Sequence, residues 1–173
     1  NDCVVEHTER IDWYPAPIFQ VGQPQFAGCE PFTVQIENTS YPINGYQLLW
    51  NLGDGYYSSD PSPLHTYEEV GLYDLNLSIV SPTGCYAEFD FNNLVNVLPN
   101  PEADFTFTPE EPSNFNPHVQ FSDGSIDAVT WTWDFGDGDV SVEQNPLHTF
   151  SDTGLQVIKL VATHVSGCQD STY

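Results

Sequence analysis

Apolar and polar residues alternate at every second position through much of this chain. Phe19/Val21, Phe32/Val34/Ile36, Tyr73/Leu75/Leu77/Ile79, Phe105/Phe107 and Val129/Trp131/Trp133 all follow a period of two. That period puts successive side chains on opposite faces of an extended strand, one face for a core and one for solvent. Turn-forming groups interrupt the pattern: Asn44-Gly45, Asp54-Gly55, Pro82-Thr83-Gly84, Ser122-Asp123-Gly124 and Gly136-Asp137-Gly138. No segment carries a helical stripe. Many short strands with regular turns predict an all-β chain of antiparallel sandwiches.

The strands repeat as a set. Trp50-Asn51-Leu52-Gly53-Asp54-Gly55 returns as Trp133-Asp134-Phe135-Gly136-Asp137-Gly138. Pro63-Leu64-His65-Thr66-Tyr67 returns as Pro146-Leu147-His148-Thr149-Phe150, Gly71 as Gly154, and Gly84-Cys85 as Gly167-Cys168. All four pairs share one spacing, 83 positions (133 − 50). Val34-Gln35-Ile36 matches Val119-Gln120-Phe121 two positions out of that register, so the first copy carries two extra residues near Tyr41–Gly45. The prolines of Leu98-Pro99-Asn100-Pro101 remove N–H donors and stop a strand, which marks a short, semi-rigid linker. Residues 1–14 therefore read as the tail of a preceding module or a linker, 15–98 as one sandwich and 99–173 as a second.

These residues carry a family resemblance. Trp131-Thr132-Trp133-Asp134-Phe135-Gly136-Asp137-Gly138, followed by Asn145-Pro146-Leu147-His148-Thr149-Phe150 and Gly154, resembles the signature of polycystic kidney disease (PKD) domains. The resemblance covers both copies. It implies two tandem immunoglobulin-like β-sandwiches. The first copy departs from the pattern with Asn51-Leu52 in place of Asp-Phe. The Gly-Cys ending and the extra Cys29 are similar to a PKD variant of large secreted Bacteroidetes surface proteins, gliding-motility adhesins among them. In that variant Cys29 pairs with Cys85. Asn114 replaces the matching cysteine of the second copy, so Cys168 is expected to lack a partner within its module. Cys3 resembles the closing cysteine of an earlier module, and neither Cys3 nor Cys168 is expected to bond within this chain.

Physical roles follow from residue type. Trp50 and Trp133 suit the space between two sheets, where an indole buries a large apolar area. The glycines of Gly-Asp-Gly accept positive φ, and Asp54 and Asp137 accept backbone N–H bonds across their turns. His65 and His148 are expected to tie their loops to those hairpins, and each lacks the partners of a metal site. His7, His118 and His164 are scattered. Calcium is the one cofactor considered: Asp123 and Asp127, with Ser122 and Ser125, set hard oxygen ligands around a glycine turn, and some PKD domains bind calcium near the same loop.

Charge and composition narrow the function. Twenty-five acidic residues face two cations, Arg10 and Lys159, for a net charge of −23. Such a chain repels phosphate backbones and anionic headgroups, so nucleic-acid binding and membrane adsorption are set aside. No apolar run reaches the roughly 20 residues of a spanning helix. Aromatic residues at 14% oppose disorder. The chain has four cysteines without a Cys-x-x-Cys pair, lacks Met, and shows no leader pattern. It reads as a mature chain or a window of a longer extracellular protein. No nucleophile motif is present, so the chain is read as non-enzymatic. The expected role is a structural and adhesive segment of a long cell-surface protein or filament. Its partners would be neighbouring PKD modules, like subunits, or a cell-surface or polysaccharide ligand. The alternatives are an accessory polysaccharide- or protein-binding module of a secreted hydrolase, with Trp13-Tyr14 and Tyr56-Tyr57 as platforms, and a self-assembling filament subunit. One further expectation concerns Val157, Lys159 and Val161, which stand where the first copy has Asp74, Asn76 and Ser78, with Leu155 preceding them: this partly apolar outer face should be covered by a loop within the module, the alternative being a neighbouring module or subunit.

Overall fold

The computed structural model describes residues 16–173 except Asn114 and Asp152. These residues form fourteen strands and no helix. The first copy contains β1 (Phe26–Cys29), β2 (Phe32–Gln35), β3 (Gln47–Asn51), β4 (Tyr57–Ser58), β5 (Leu64–Tyr67), β6 (Gly71–Val80) and β7 (Tyr86–Leu98). The second contains β8 (Phe105–Thr108), β9 (His118–Asp123), β10 (Thr130–Asp134), β11 (Val140–Ser141), β12 (Leu147–Thr149), β13 (Lys159–Thr163) and β14 (Gln169–Thr172). Strand order is β1-β7-β6-β3-β4 with β2-β5 in the first, and β11-β10-β13-β14 with β12-β9-β8 in the second. β3 pairs antiparallel with β4 and β6, and in the second copy β10–β11, β10–β13, β13–β14, β8–β9 and β9–β12 are all antiparallel; two sheets per copy are the immunoglobulin-like sandwich that the alternation predicts.

The repeat persists in register. Trp50 lies opposite Leu77 on β6 and Ser58 on β4, and Trp133 lies opposite Leu160 on β13 and Ser141 on β11. Each pair sits at the spacing already present in the sequence. On β10, Trp133 points inward while Thr130, Thr132 and Asp134 are exposed. Trp133, Val119, Phe121, Phe135 and Leu160 form the second core, with Phe105, Phe150 and Ile158 against it. Aromatic rings meet there at tilted or edge-on angles, Phe105–Trp133 at 5.3 Å and Phe121–Trp133 at 5.5 Å between centroids. Ring quadrupoles favour those arrangements. In the first core Trp50 is fully buried and stacks on Phe91 at 5.8 Å.

The chain divides into two compact units. One holds the described residues up to Phe26 with Thr33–His65 and Leu72–Val95; the other holds Ala27–Phe32, Thr66–Gly71 and Asn96 onward.

The cysteine pairing differs from the expectation. Cys29 bonds to Cys168, with Cα atoms 5.7 Å apart, and Cys85 is a free, exposed thiol. The reason is the length of β7. Cys85 sits at the hairpin tip where β7 begins, held by Ser81. Cys29 ends β1 beside the other end of β7, where Glu30 N–H donates to the Leu98 carbonyl at 3.0 Å. Thirteen strand residues lie between, about 40 Å of extended chain, far beyond the reach of a disulfide. Cys168 occupies the equivalent hairpin of the second copy and shares the second unit with Cys29. It therefore does bond within this chain, and an interchain Cys3–Cys168 link is not available to it. Cys3 lies outside the described residues.

The Leu98–Pro101 linker is held within that same unit. Asn100 donates from its backbone N–H to the Glu30 carboxylate and from its amide to the Glu30 carbonyl.

Three outcomes follow. Trp133→Ala should lower unfolding free energy by about 3–5 kcal/mol in denaturant titration. Non-reducing peptide mapping should recover Cys29 joined to Cys168, with Cys85 alkylated by iodoacetamide in the native protein. Cys29→Ser should cost about 2–4 kcal/mol. A Cys29–Cys85 peptide would overturn this connectivity.

Candidate functional site

The signature residues meet around the Gly-Asp-Gly hairpin of each copy. In the second, Phe135 N–H donates to the Asp139 carbonyl at 3.1 Å and closes the turn. Asp134 Oδ1 accepts from Gly136 N–H at 3.0 Å, and Asp137 Oδ1 accepts from Asp139 N–H at 3.1 Å. Gly136 has φ +78°, and a Cβ there would stand 2.7 Å from the Val157 carbonyl oxygen. Both the backbone and the neighbouring chain therefore demand glycine.

His148 rises from β12 into this turn. Its Nε2 lies 2.7 Å from Asp137 Oδ2. An ionised carboxylate only accepts, so the imidazole carries its proton on Nε2. The ring stacks on Phe135 at 4.0 Å and 3° and meets Phe150 edge-on at 4.5 Å. His148 is thus clamped on three sides. Trp133 completes the arrangement by donating from Nε1 to the Glu143 carbonyl at 2.8 Å, which satisfies its one polar atom inside the core.

The first copy repeats this with substitutions. His65 Nε2 lies 2.6 Å from Asp54 Oδ2, and Trp50 Nε1 donates to the Pro61 carbonyl at 3.3 Å. Asn51 Oδ1 accepts from Gly53 N–H at 3.0 Å. The departure from Asp at this position keeps the bond, because the turn needs an acceptor and not a charge. Leu52 replaces Phe135, so His65 loses that stacking partner and leans on Tyr56 at 5.1 Å instead.

The charge of the second site is set by competing effects. Burial acts to raise the Asp137 carboxyl. The hydrogen bond from His148, the Asp139 N–H and the His148 charge outweigh it and hold the group below its ordinary value.

Asp123 and Asp127 take other places. Asp123 Oδ1 accepts from Ser125 N–H at 3.0 Å and Oδ2 from the Gln144 amide at 3.0 Å. Asp127 adopts φ +58° in the following turn. Among the described residues, the one group of three potential metal ligands within 4.8 Å of one another is Asp137, Asp139 and His148, and Asp123 and Asp127 are outside it. Of the other histidines, His118 Nδ1 bonds Thr149 Oγ1 and His164 Nδ1 bonds Ser166 Oγ, each at 2.8 Å. Trp13, Tyr14 and His7 lie outside the described residues. Tyr56 and Tyr57 are 65% and 63% exposed.

The PKD domain family model matches residues 14–94 and again 96–173. The chain belongs to the PKD domain family. Among solved structures it is similar to the PKD1 domain of the Vibrio cholerae metalloprotease PrtV, at 26% identity and TM-score 0.38, over 42% of this chain and 89% of that one. The PKD1 domain of Vibrio anguillarum Epp matches at 25% identity and TM-score 0.37, over 42% and 86%. Fibronectin(III)-like modules of Clostridium thermocellum CbhA match at 18% identity and TM-score 0.41, over 89% and 91%.

The Asp137–His148 tie generates a pH prediction. Asp137 binds its proton more weakly folded than unfolded, so its contribution to stability is present above the unfolded carboxylate value and is lost as pH falls through the depressed one. Asp137→Asn should flatten the acid limb of the stability profile and cost on the order of 1 kcal/mol at neutral pH, read by urea unfolding from pH 7 to pH 2. An unchanged acid limb would remove the tie as its cause.

Proposed function

We propose that this chain is a stretch of PKD modules in a long extracellular surface protein or filament, and that its work is mechanical display of an adhesive partner. The observation that carries this reading is the covalent path for force. Cys29 and Cys168 are separated by 139 positions in sequence. Tension applied from outside that pair crosses the S–S bond, and the sandwich residues between cannot be drawn out. The signature side chains support the same reading. Both indoles are fully buried, and each His–Asp pair is engaged within its own hairpin. A net charge of −23 keeps neighbouring copies apart by repulsion. A disulfide fits an oxidising, extracellular setting.

Single-molecule pulling tests the proposal. The oxidised chain should resist extension between Cys29 and Cys168, and reduction should release on the order of 50 nm of additional contour at roughly 3.6 Å per residue. Equal extension with and without reductant would count against a mechanical role. Retention of the chain on polysaccharide, lost on Tyr57→Ala, would favour the accessory module of a hydrolase instead.

A further inference from the structure

Three metal-binding atoms meet beside the second hairpin. Asp137, Asp139 and His148 each offer one donor, and the three donors lie within 4.8 Å of one another. Along the chain the histidine stands apart from both aspartates; β12 brings it to them. The donors are not carboxylates alone. His148 is 8% exposed, and Phe135 and Phe150 fix its ring with Nε2 aimed at the turn. Both aspartates lie on the exposed side. The turn uses only the backbone of Asp139, its N–H on Asp137 Oδ1 and its carbonyl on Phe135 N–H. The Asp139 carboxylate accepts no hydrogen bond among the described residues. A charged side chain without a structural task thus stands beside a buried, oriented imidazole.

The first copy shows that the hairpin does not need this aspartate. Its turn is closed in the same way: Leu52 N–H donates to the Tyr56 carbonyl at 2.9 Å, and Tyr56 N–H donates to Asp54 Oδ1 at 3.1 Å. The His65–Asp54 contact is the same as well. At the repeat spacing, Tyr56 stands where the second copy has Asp139 (139 − 83). Its ring leans on His65 at 5.1 Å. The turn and the histidine tie therefore form with a tyrosine at this position. The carboxylate of Asp139 adds nothing to either, and what it does add is a third donor.

We propose that Asp137, Asp139 and His148 bind one zinc ion, with the remaining coordination position open to solvent. An imidazole nitrogen and two carboxylate oxygens at about 2.0–2.2 Å are a zinc donor set. Calcium takes about six to eight oxygens and has no use for the nitrogen. The 2.7 Å between His148 Nε2 and Asp137 Oδ2 is a separation that two donors of one ion can keep. Zinc takes the place of the proton between them, and the neutral imidazole then carries its proton on Nδ1. Two carboxylates balance the charge of the ion, and a chain of net charge −23 favours a bound cation. The ion ties β12 to the hairpin, and with it the loop whose Glu143 carbonyl accepts from Trp133. This site stands whether or not the chain displays an adhesive partner.

Titration with zinc chloride tests the site on the oxidised 173-residue chain, with Cys85 alkylated, in physiological salt and excess magnesium. The blocked thiol removes thiolate binding, and the salt and magnesium suppress diffuse binding to the acidic surface. One zinc per chain should bind and raise Tm. Imidazole NMR should show the His148 ring shifting while His65 stays in place. Asp139→Asn should weaken binding about tenfold or more. The same variant should leave the metal-free Tm within a degree, because the turn uses only the backbone of that residue. Asp123→Asn should bind zinc as the parent does. No binding in the presence of magnesium, binding unchanged by Asp139→Asn, or a shift at another histidine in place of His148 would overturn the proposal.

Discussion

The indole of Trp133, closed between two sheets with its N–H on the Glu143 carbonyl, is the interaction on which the second sandwich depends. The benefit of an indole in a core is conditional. Its large apolar area stabilises only while its one donor stays bonded, because an orphaned N–H costs most of what burial gains. The acceptor comes from the loop between β11 and β12. That loop must therefore be held in position, and the Gly-Asp-Gly hairpin with His148 does this. Asp137 fixes the turn, His148 reaches it from β12, and Phe135 and Phe150 leave the imidazole no other orientation. Trp, Asp and His are one mechanical unit. Each would look like chemistry if seen alone.

The first copy shows which parts of that unit tolerate change. Asn51 substitutes for Asp134 without loss of the turn bond, and Leu52 fills the core as completely as Phe135. The stacked imidazole is what is given up. The Asp–His contact survives, at 2.6 Å against 2.7 Å. The carboxylate–imidazole pair is thus set by hydrogen-bond geometry, and aromatic stacking is an addition to it.

A second constraint is the reach of β7. One long strand ties its own hairpin at Cys85 to the neighbourhood of Glu30, and its apolar second half fills the first core. The same length that completes the sandwich carries Cys85 away from Cys29. In the second copy Leu155 and Val157 are exposed, contrary to the loop cover expected of them.

Sequence alone determined the sheets, the repeat and the Trp, Asp and His positions of both copies. These are local: a period of two, a glycine at positive φ and an acceptor two residues before an N–H depend on neighbours in the chain. Membership of the PKD family follows from the same spaced residues. The disulfide was misassigned because cysteine pairing depends on which strand ends come together, and two cysteines of one module can stand at opposite ends of a 13-residue strand. The grouping of Asp137, Asp139 and His148 was likewise decided by tertiary structure. Both depend on distances between segments that alternation and spacing do not encode.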